Sequence, residues 1–217
     1  MIPVWINNRN RLTTTKQMVA HLLAMRGVVP IVVDNESSYP PLLEWYSAGC
    51  DVEVVFRGSN RGAYGPWEIA DLARGASCYV VTDSDLDLSG VPADVIDILW
   101  SGLRRFPSVV KAGLSLEIND LPRGTAATRR CIACESRYWS KRLGRRWWSA
   151  PVDTTFALYR AGCIRFPGTR PAIRSDRPYT ARHIPWYRDL DDEERYVEAN
   201  CDLRWSSSVK WYRSNEA

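Results

Sequence analysis

Through the first ninety residues, short and uniformly apolar runs alternate with stretches whose apolar positions recur at helical spacing, the pattern of stacked βα units. Residues 2–6 read as a first strand. Residues 14–26 read as a helix, with a Thr14-x-x-Gln17 capping box, an apolar face at Val19, Leu22 and Leu23, and Gly27 as its stop. A strand over 31–33, a helix over 41–48 opening on proline, a strand over 52–56, a helix over 67–74 and a fourth strand over 79–82 follow. Strands this apolar leave no face for water. They predict a mostly parallel sheet flanked by helices, a Rossmann-like α/β single domain.

In such sheets ligands bind beyond the carboxyl ends of the strands. The polar residues stand there: Asn7, Asn8 and Arg9 after the first strand, Asp34 to Ser37 after the second, Arg57 to Gly62 after the third, Asp83 to Asp87 after the fourth. Any single turn is polar for its own reasons, but four on one edge make a cleft lined with Arg, Asn and carboxylates. Farther on, 109–117 reads as another strand, ending near Glu117, Asn119 and Asp120. Residues 152–162 fit either a strand or a helix capped by Asp153 and stopped by Gly162. Cys131 and Cys134 fall on one face of an expected helix; no second pair or nearby His completes a zinc site, so they read as packing.

The chain has 217 residues, 45% hydrophobic and 25% charged, which suits a globular protein and excludes disordered and collagen-like classes. A formal net charge of +4 favours an anionic ligand without demanding nucleic acid. The first residues lack a basic leader and no apolar run reaches the roughly 18 residues of a membrane span, so a cytoplasmic protein with free thiols is expected. Residues 123–148 hold eight Arg or Lys against one acid, Glu135, interleaved with Tyr138, Trp139, Trp147 and Trp148. Such a segment suits an acceptor loop, a peripheral contact with anionic lipid, or nucleic acid; six acids within 188–198 can offset it, and nucleic acid is not favoured.

Alternate carboxylates directly after a buried strand, Asp83-Ser84-Asp85, can offer hard oxygen ligands to a divalent cation whose open positions take phosphate oxygens. Neither a Gly-x-Gly-x-x-Gly nor a P-loop signature occurs. The run Asn8-Arg9-x-x-Leu12, then Asp34-Asn35-x-Ser37, Asn60-x-Gly62 and Tyr79-Val80-Val81-Thr82-Asp83-Ser84-Asp85 resembles, in order and spacing, the GT-A-fold, family-2-like nucleotide-sugar glycosyltransferases.

The resemblance covers the first ninety residues well and the remainder loosely. It implies a metal-dependent transfer of a sugar from a nucleotide diphosphate sugar, a UDP-sugar above all, to a hydroxyl of a glycan, lipid-linked or protein acceptor. Residues 1–90 would form the nucleotide-sugar half and 91–217 the acceptor and catalytic half. Asn8, Arg9 and Asp34 would hold the nucleoside, with Asn60, Arg61, Gly62 and Ser84 in the donor site; Asp83 and Asp85 would bind Mn²⁺ or Mg²⁺, joined by His183 from a later loop. Asp153 stands where the family has its catalytic base, although Val152 replaces the acid that precedes it there; Glu117 and Asp120 are the rivals. A sugar-phosphate nucleotidyltransferase, whose glycine-rich basic signature is missing, and a nucleic-acid-binding protein built on 123–148 are the alternatives.

Overall fold

A computed structural model describes residues 1–122, 124, 126–163 and 171–187. The parallel half comes first: β1 (Ile2–Asn8), α1 (Thr13–Ala24), β2 (Val28–Asp34), α2 (Pro40–Ser47), β3 (Glu53–Phe56) and β4 (Cys78–Asp83). Then follow β5 (Leu86–Asp87), α3 (Val95–Arg105), β6 (Lys111–Gly113), β7 (Ser115–Leu116) and α4 (Ala126–Ser136). The last strands are β8 (Arg142–Leu143), β9 (Trp147–Ser149), β10 (Ala157–Arg160), β11 (Ala172–Ser175) and β12 (Thr180–His183). Nine strands form one sheet in the order β3-β2-β1-β4-β10-β6-β11-β9-β8, and β5-β12-β7 make a small second sheet.

The large sheet is mixed, which corrects the mostly parallel sheet expected from the sequence. The β3-β2-β1-β4 block is parallel, because crossovers return the chain to the same end each time, and β6 and β11 form a further parallel pair. Residues 151–156 instead sit at the carboxyl end of β4, where the Asp83 amide donates to the Thr154 carbonyl at 2.9 Å. A strand leaving from that end runs the other way. β10 is therefore antiparallel to both β4 and β6, and the β8–β9 hairpin adds further antiparallel pairs at the far edge.

Period-2 alternation sorts the buried strand residues onto two faces. Val4, Ile6, Val32 and Val80 meet Met18, Leu22, Leu99 and Leu103 of α1 and α3. Trp5, Ile31, Val33, Tyr79 and Val81 meet Trp67 and Leu72 on the other side. Each fully buried Leu or Ile contributes roughly 1.5–3 kcal/mol relative to exposure. The packing leaves little slack: a Cβ on Gly113 would lie 2.5 Å from a Val152 methyl.

Local expectations fared unevenly. α1 starts on Leu12 with no side-chain cap, and Thr15 Oγ1 turns back to the Arg11 carbonyl at 2.6 Å, so the expected capping box does not form. The helix expected over 67–74 is replaced by 3₁₀ turns at Gly62–Tyr64 and Pro66–Glu68. Ile69 is extended, Asp71 Oδ1 accepts the Ala73 and Arg74 amides at 3.1 and 2.9 Å, and Arg74 takes φ +47°. Asp71 thus satisfies the backbone without a helix. The strand expected over 109–117 breaks at Leu114, whose amide goes to Phe156, and its two pieces join different sheets. Residues 157–160 are strand, so Asp153 caps no helix. The helix around Cys131 is present; Cys131 is buried against Leu121, Cys134 is exposed, and the described cysteines are free thiols.

Candidate functional site

The carboxyl ends of β1, β2 and β4 share one edge, fixed by register: Asn8 lies opposite Asp34, and Asn7 opposite Asp83. Asp83 is the last residue of β4. Its carboxylate accepts the Thr154 hydroxyl and, at 3.5 Å, the Asn7 amide. One residue on, the Ser84 amide donates to Asn7 at 3.2 Å and its hydroxyl to Asn8 Oδ1 at 2.9 Å, a tight turn that swings Asp85 toward the loop after β1.

Asp85 Oδ2 lies 3.3 Å from an Arg11 guanidinium nitrogen and 3.4 Å from His183 Nε2. Its other oxygen, Oδ1, is buried and has no hydrogen-bond partner among the described residues; the same is true of His183 Nδ1. His183 is fixed by β12, which pairs with β5, by the Ile184 amide bonded to the Asp85 carbonyl at 2.9 Å, and by Trp186 edge-on at 4.9 Å.

These surroundings push the two carboxylates apart. Burial, and then the neighbouring Asp85 charge, hold Asp83 well above the ordinary carboxylate range, with Asp153 adding in the same direction. Burial works against Asp85 as well, but His183 and Arg11 outweigh it, and its carboxyl titrates below the ordinary range. Asp85 keeps its charge and Asp83 resists ionising, a division of roles common in acid–base and metal sites.

Toward β2, Asp34 is 2% exposed; its Oδ1 accepts the Ser37 amide at 2.9 Å, and its buried Oδ2 has no hydrogen-bond partner among the described residues. Burial and the Asp34 charge push the Tyr46 hydroxyl upward. Asn8 does not face the cleft freely: it donates to Tyr46 at 2.9 Å and accepts Ser84. Arg9 reaches the Glu36 carbonyl at 3.4 Å, Asn60 accepts the Gly62 amide at 2.9 Å, and Arg61 pairs with Glu68 at 3.3 Å. The Gly62 carbonyl, at φ +54°, accepts both Asn35 at 2.7 Å and Asn7 at 3.2 Å, tying the 57–62 loop to the ends of β1 and β2.

Asp153 is exposed beside Asp83, and its carboxylate takes no hydrogen bond or ion pair among the described residues. The other two acids lie elsewhere. Glu117 is held by Arg177 at 2.7 and 2.8 Å and by the Ile118 and Asn119 amides, which outweigh burial and hold its carboxyl at about 2. Asp120 accepts Arg182 and Tyr187, each at 2.6 Å. Both line a cavity of about 320 Å³ with Asp87, Thr180 and Arg182. Arg182 and His183 are successive strand residues, so their side chains point to opposite faces of β12.

Sequence reasoning did not single out Arg11, Asn35, Tyr46 or Thr154. Arg11 and Asn35 are polar residues buried to 4% and 2% exposure in loops after strands, and burial is what a one-dimensional pattern does not carry.

No protein-family model matches the sequence, and no curated protein is significantly similar to it. Solved structures do share its architecture. S. aureus TarS superposes with a TM-score of 0.50 at 10% identity, over 97% of this chain and 41% of that one. The fold is of the GT-A type. Glucosyl-3-phosphoglycerate synthase from Mycobacterium tuberculosis, in complex with Mn²⁺ and uridine-diphosphate-glucose, matches at a TM-score of 0.46 and 16% identity, over 74% of this chain and 56% of that one. Mouse xyloside xylosyltransferase 1 matches at 0.38 and 9% identity, over 75% and 70%. The present chain thus spans about half the length of the bacterial structures.

Proposed function

We propose that this chain is a glycosyltransferase that moves a sugar from a nucleotide diphosphate sugar, a UDP-sugar, to an acceptor hydroxyl with the help of a divalent cation. The observation that carries the reading is the juxtaposition of Asp34, Asp83 and Asp85 at one edge of the parallel half-sheet, with His183 brought back onto Asp85 from far along the chain. Residues 1–90 would take the nucleotide and residues 91–217 the acceptor, a glycan or a lipid- or protein-linked hydroxyl.

The residues present suit a hard cation. Asp85 Oδ1 is buried, unpartnered among the described residues and of the hard oxygen type that Mn²⁺ or Mg²⁺ accepts, with the His183 imidazole facing Asp85 through Nε2 at 3.4 Å. Among the described residues no group of three or more His, Cys, Asp or Glu could hold a metal ion, and phosphate oxygens of the donor would supply the remaining ligands. Asp83 and Asp85 would hold the cation, which would supply neutralisation of the charge on the departing diphosphate. Asp34 would accept hydrogen bonds from the nucleoside, and the unengaged carboxylate of Asp153 would take the proton of the attacking hydroxyl.

Thermal melting with a panel of nucleotide diphosphate sugars, with and without Mn²⁺, tests the reading alongside release of the nucleoside diphosphate. The expected result is stabilisation and slow hydrolysis by one UDP-sugar, both abolished by chelation and by Asp85→Ala. No shift with any donor, or hydrolysis unaffected by Asp85→Ala, overturns it.

A further inference from the structure

Arg11 is not part of the resemblance that points to the site, yet it occupies the most consequential position in it. Its side chain is 5% exposed and its partner Asp85 is 10% exposed, so their 3.3 Å contact is a buried ion pair. The local fold delivers it there. Asn10 adopts φ +57°, its amide N–H donates to Ser37 Oγ at 2.9 Å, and its Oδ1 accepts the Ser38 and Tyr39 amides at 2.7 and 3.0 Å. The loop between β1 and α1 is thereby clamped to the loop after β2. On the following residue, Thr15 anchors the Arg11 carbonyl at 2.6 Å.

We propose that Arg11 is a built-in counter-cation for Asp85, so that the guanidinium and a divalent cation compete for one carboxylate and the cation binds well only together with the donor's diphosphate. The inference rests on the glycosyltransferase reading of the site. Its physical basis is charge balance in a water-poor pocket. Asp85 already has a cationic partner in Arg11, with His183 alongside. A divalent cation added to that set meets a fixed positive charge within a few ångströms, and little solvent screens the repulsion. A diphosphate reverses the balance, because its oxygens accept from the guanidinium that yields Asp85 and ligate the cation as well. Metal and nucleotide then strengthen each other's binding by the same factor, as linkage requires.

The test compares wild type, Arg11→Gln and Arg11→Lys in Mn²⁺ titrations without nucleotide, followed by the electron paramagnetic resonance signal of free Mn²⁺ and repeated with saturating UDP; circular dichroism checks the fold. Arg11→Gln should bind Mn²⁺ alone about tenfold more tightly than wild type, and the enhancement by UDP should shrink correspondingly. Arg11→Lys keeps the charge with a weaker fit, should rise less in the same direction, and serves alone if the glutamine variant does not fold. Folded variants that bind Mn²⁺ no better than wild type overturn the proposal. Wild type that binds no UDP under any condition counts instead against the glycosyltransferase reading, and the nucleotide-free comparison still decides the role of Arg11.

Discussion

The side-chain amide of Asn35 donates to the Gly62 carbonyl at 2.7 Å while its oxygen accepts the Arg61 amide at 3.0 Å, so one buried residue at the end of β2 sets the position of the loop after β3. Replacing Asn35 by Ala leaves both backbone groups of that loop without this partner. An expected loss of about 0.5–1.5 kcal/mol in stability follows from the lost hydrogen bonds, together with weaker nucleotide binding. Chemical denaturation and UDP titration of Asn35→Ala check this; unchanged values in both would remove Asn35 from the site.

Asp34 carries the second expectation. Its Oδ2 is buried with no hydrogen-bond partner among the described residues, beside the Tyr46 hydroxyl, and a hydrogen bond from the base or ribose to this carboxylate would be worth about 1.5–3 kcal/mol. Asp34→Ala should therefore weaken UDP by roughly one to two decades, while Mn²⁺ affinity without nucleotide stays near wild type. Calorimetry on both ligands separates the two; equal loss of metal and nucleotide would point to a collapsed edge.

The third concerns pH. Glu117 is lowered from its ordinary 4.5 to about 2, through Arg177 and two backbone amides acting against burial. A depressed carboxyl stabilises the fold above its unfolded value and loses that stabilisation as pH falls toward the folded one. Wild type should exceed Glu117→Gln by about 1–2 kcal/mol above pH ~5, the half-open Arg177 trimming the gain. The gap should close between pH ~4.5 and ~2. Melting temperatures of both proteins across that window provide the check, and a pH-independent gap would contradict it.

How far the sequence reaches can be read from particular residues. The strands of the parallel half were visible because residues such as Val4, Val32 and Val80 are buried on one face and Trp5, Val33 and Val81 on the other, which leaves continuous apolar runs. Asp34, Asp83 and Asp85 were visible because they end those runs. The direction of β10 was not, since it depends on where residues 151–156 lie in space, and neither strand alternation nor a glycine stop encodes that. The helix expected over 67–74 failed for a local reason, the competition of the Asp71 side chain for backbone amides. The burial of Arg11, and the pairing of β12 with both β5 and β7 that brings His183 to Asp85, likewise emerge only in three dimensions. The acidic run 188–198 lies outside the described residues.

The placement of β10 in the middle of the sheet also bears on how such a chain can diversify. Asp153 and Thr154 directly precede it, and its register against β4 sets Leu158 opposite Val80, so a residue inserted there would displace Asp153 from Asp83 and turn the apolar side chains of β10 to the wrong face. The β8–β9 hairpin, by contrast, terminates the sheet and carries exposed Lys141, Arg142, Arg145 and Arg146. Insertions, deletions and changes of charge can accumulate at that rim across lineages without altering the spacing of the acids. Heritable variation in what the molecule recognises therefore has a free margin in which to arise, while the geometry of the centre is inherited as a unit.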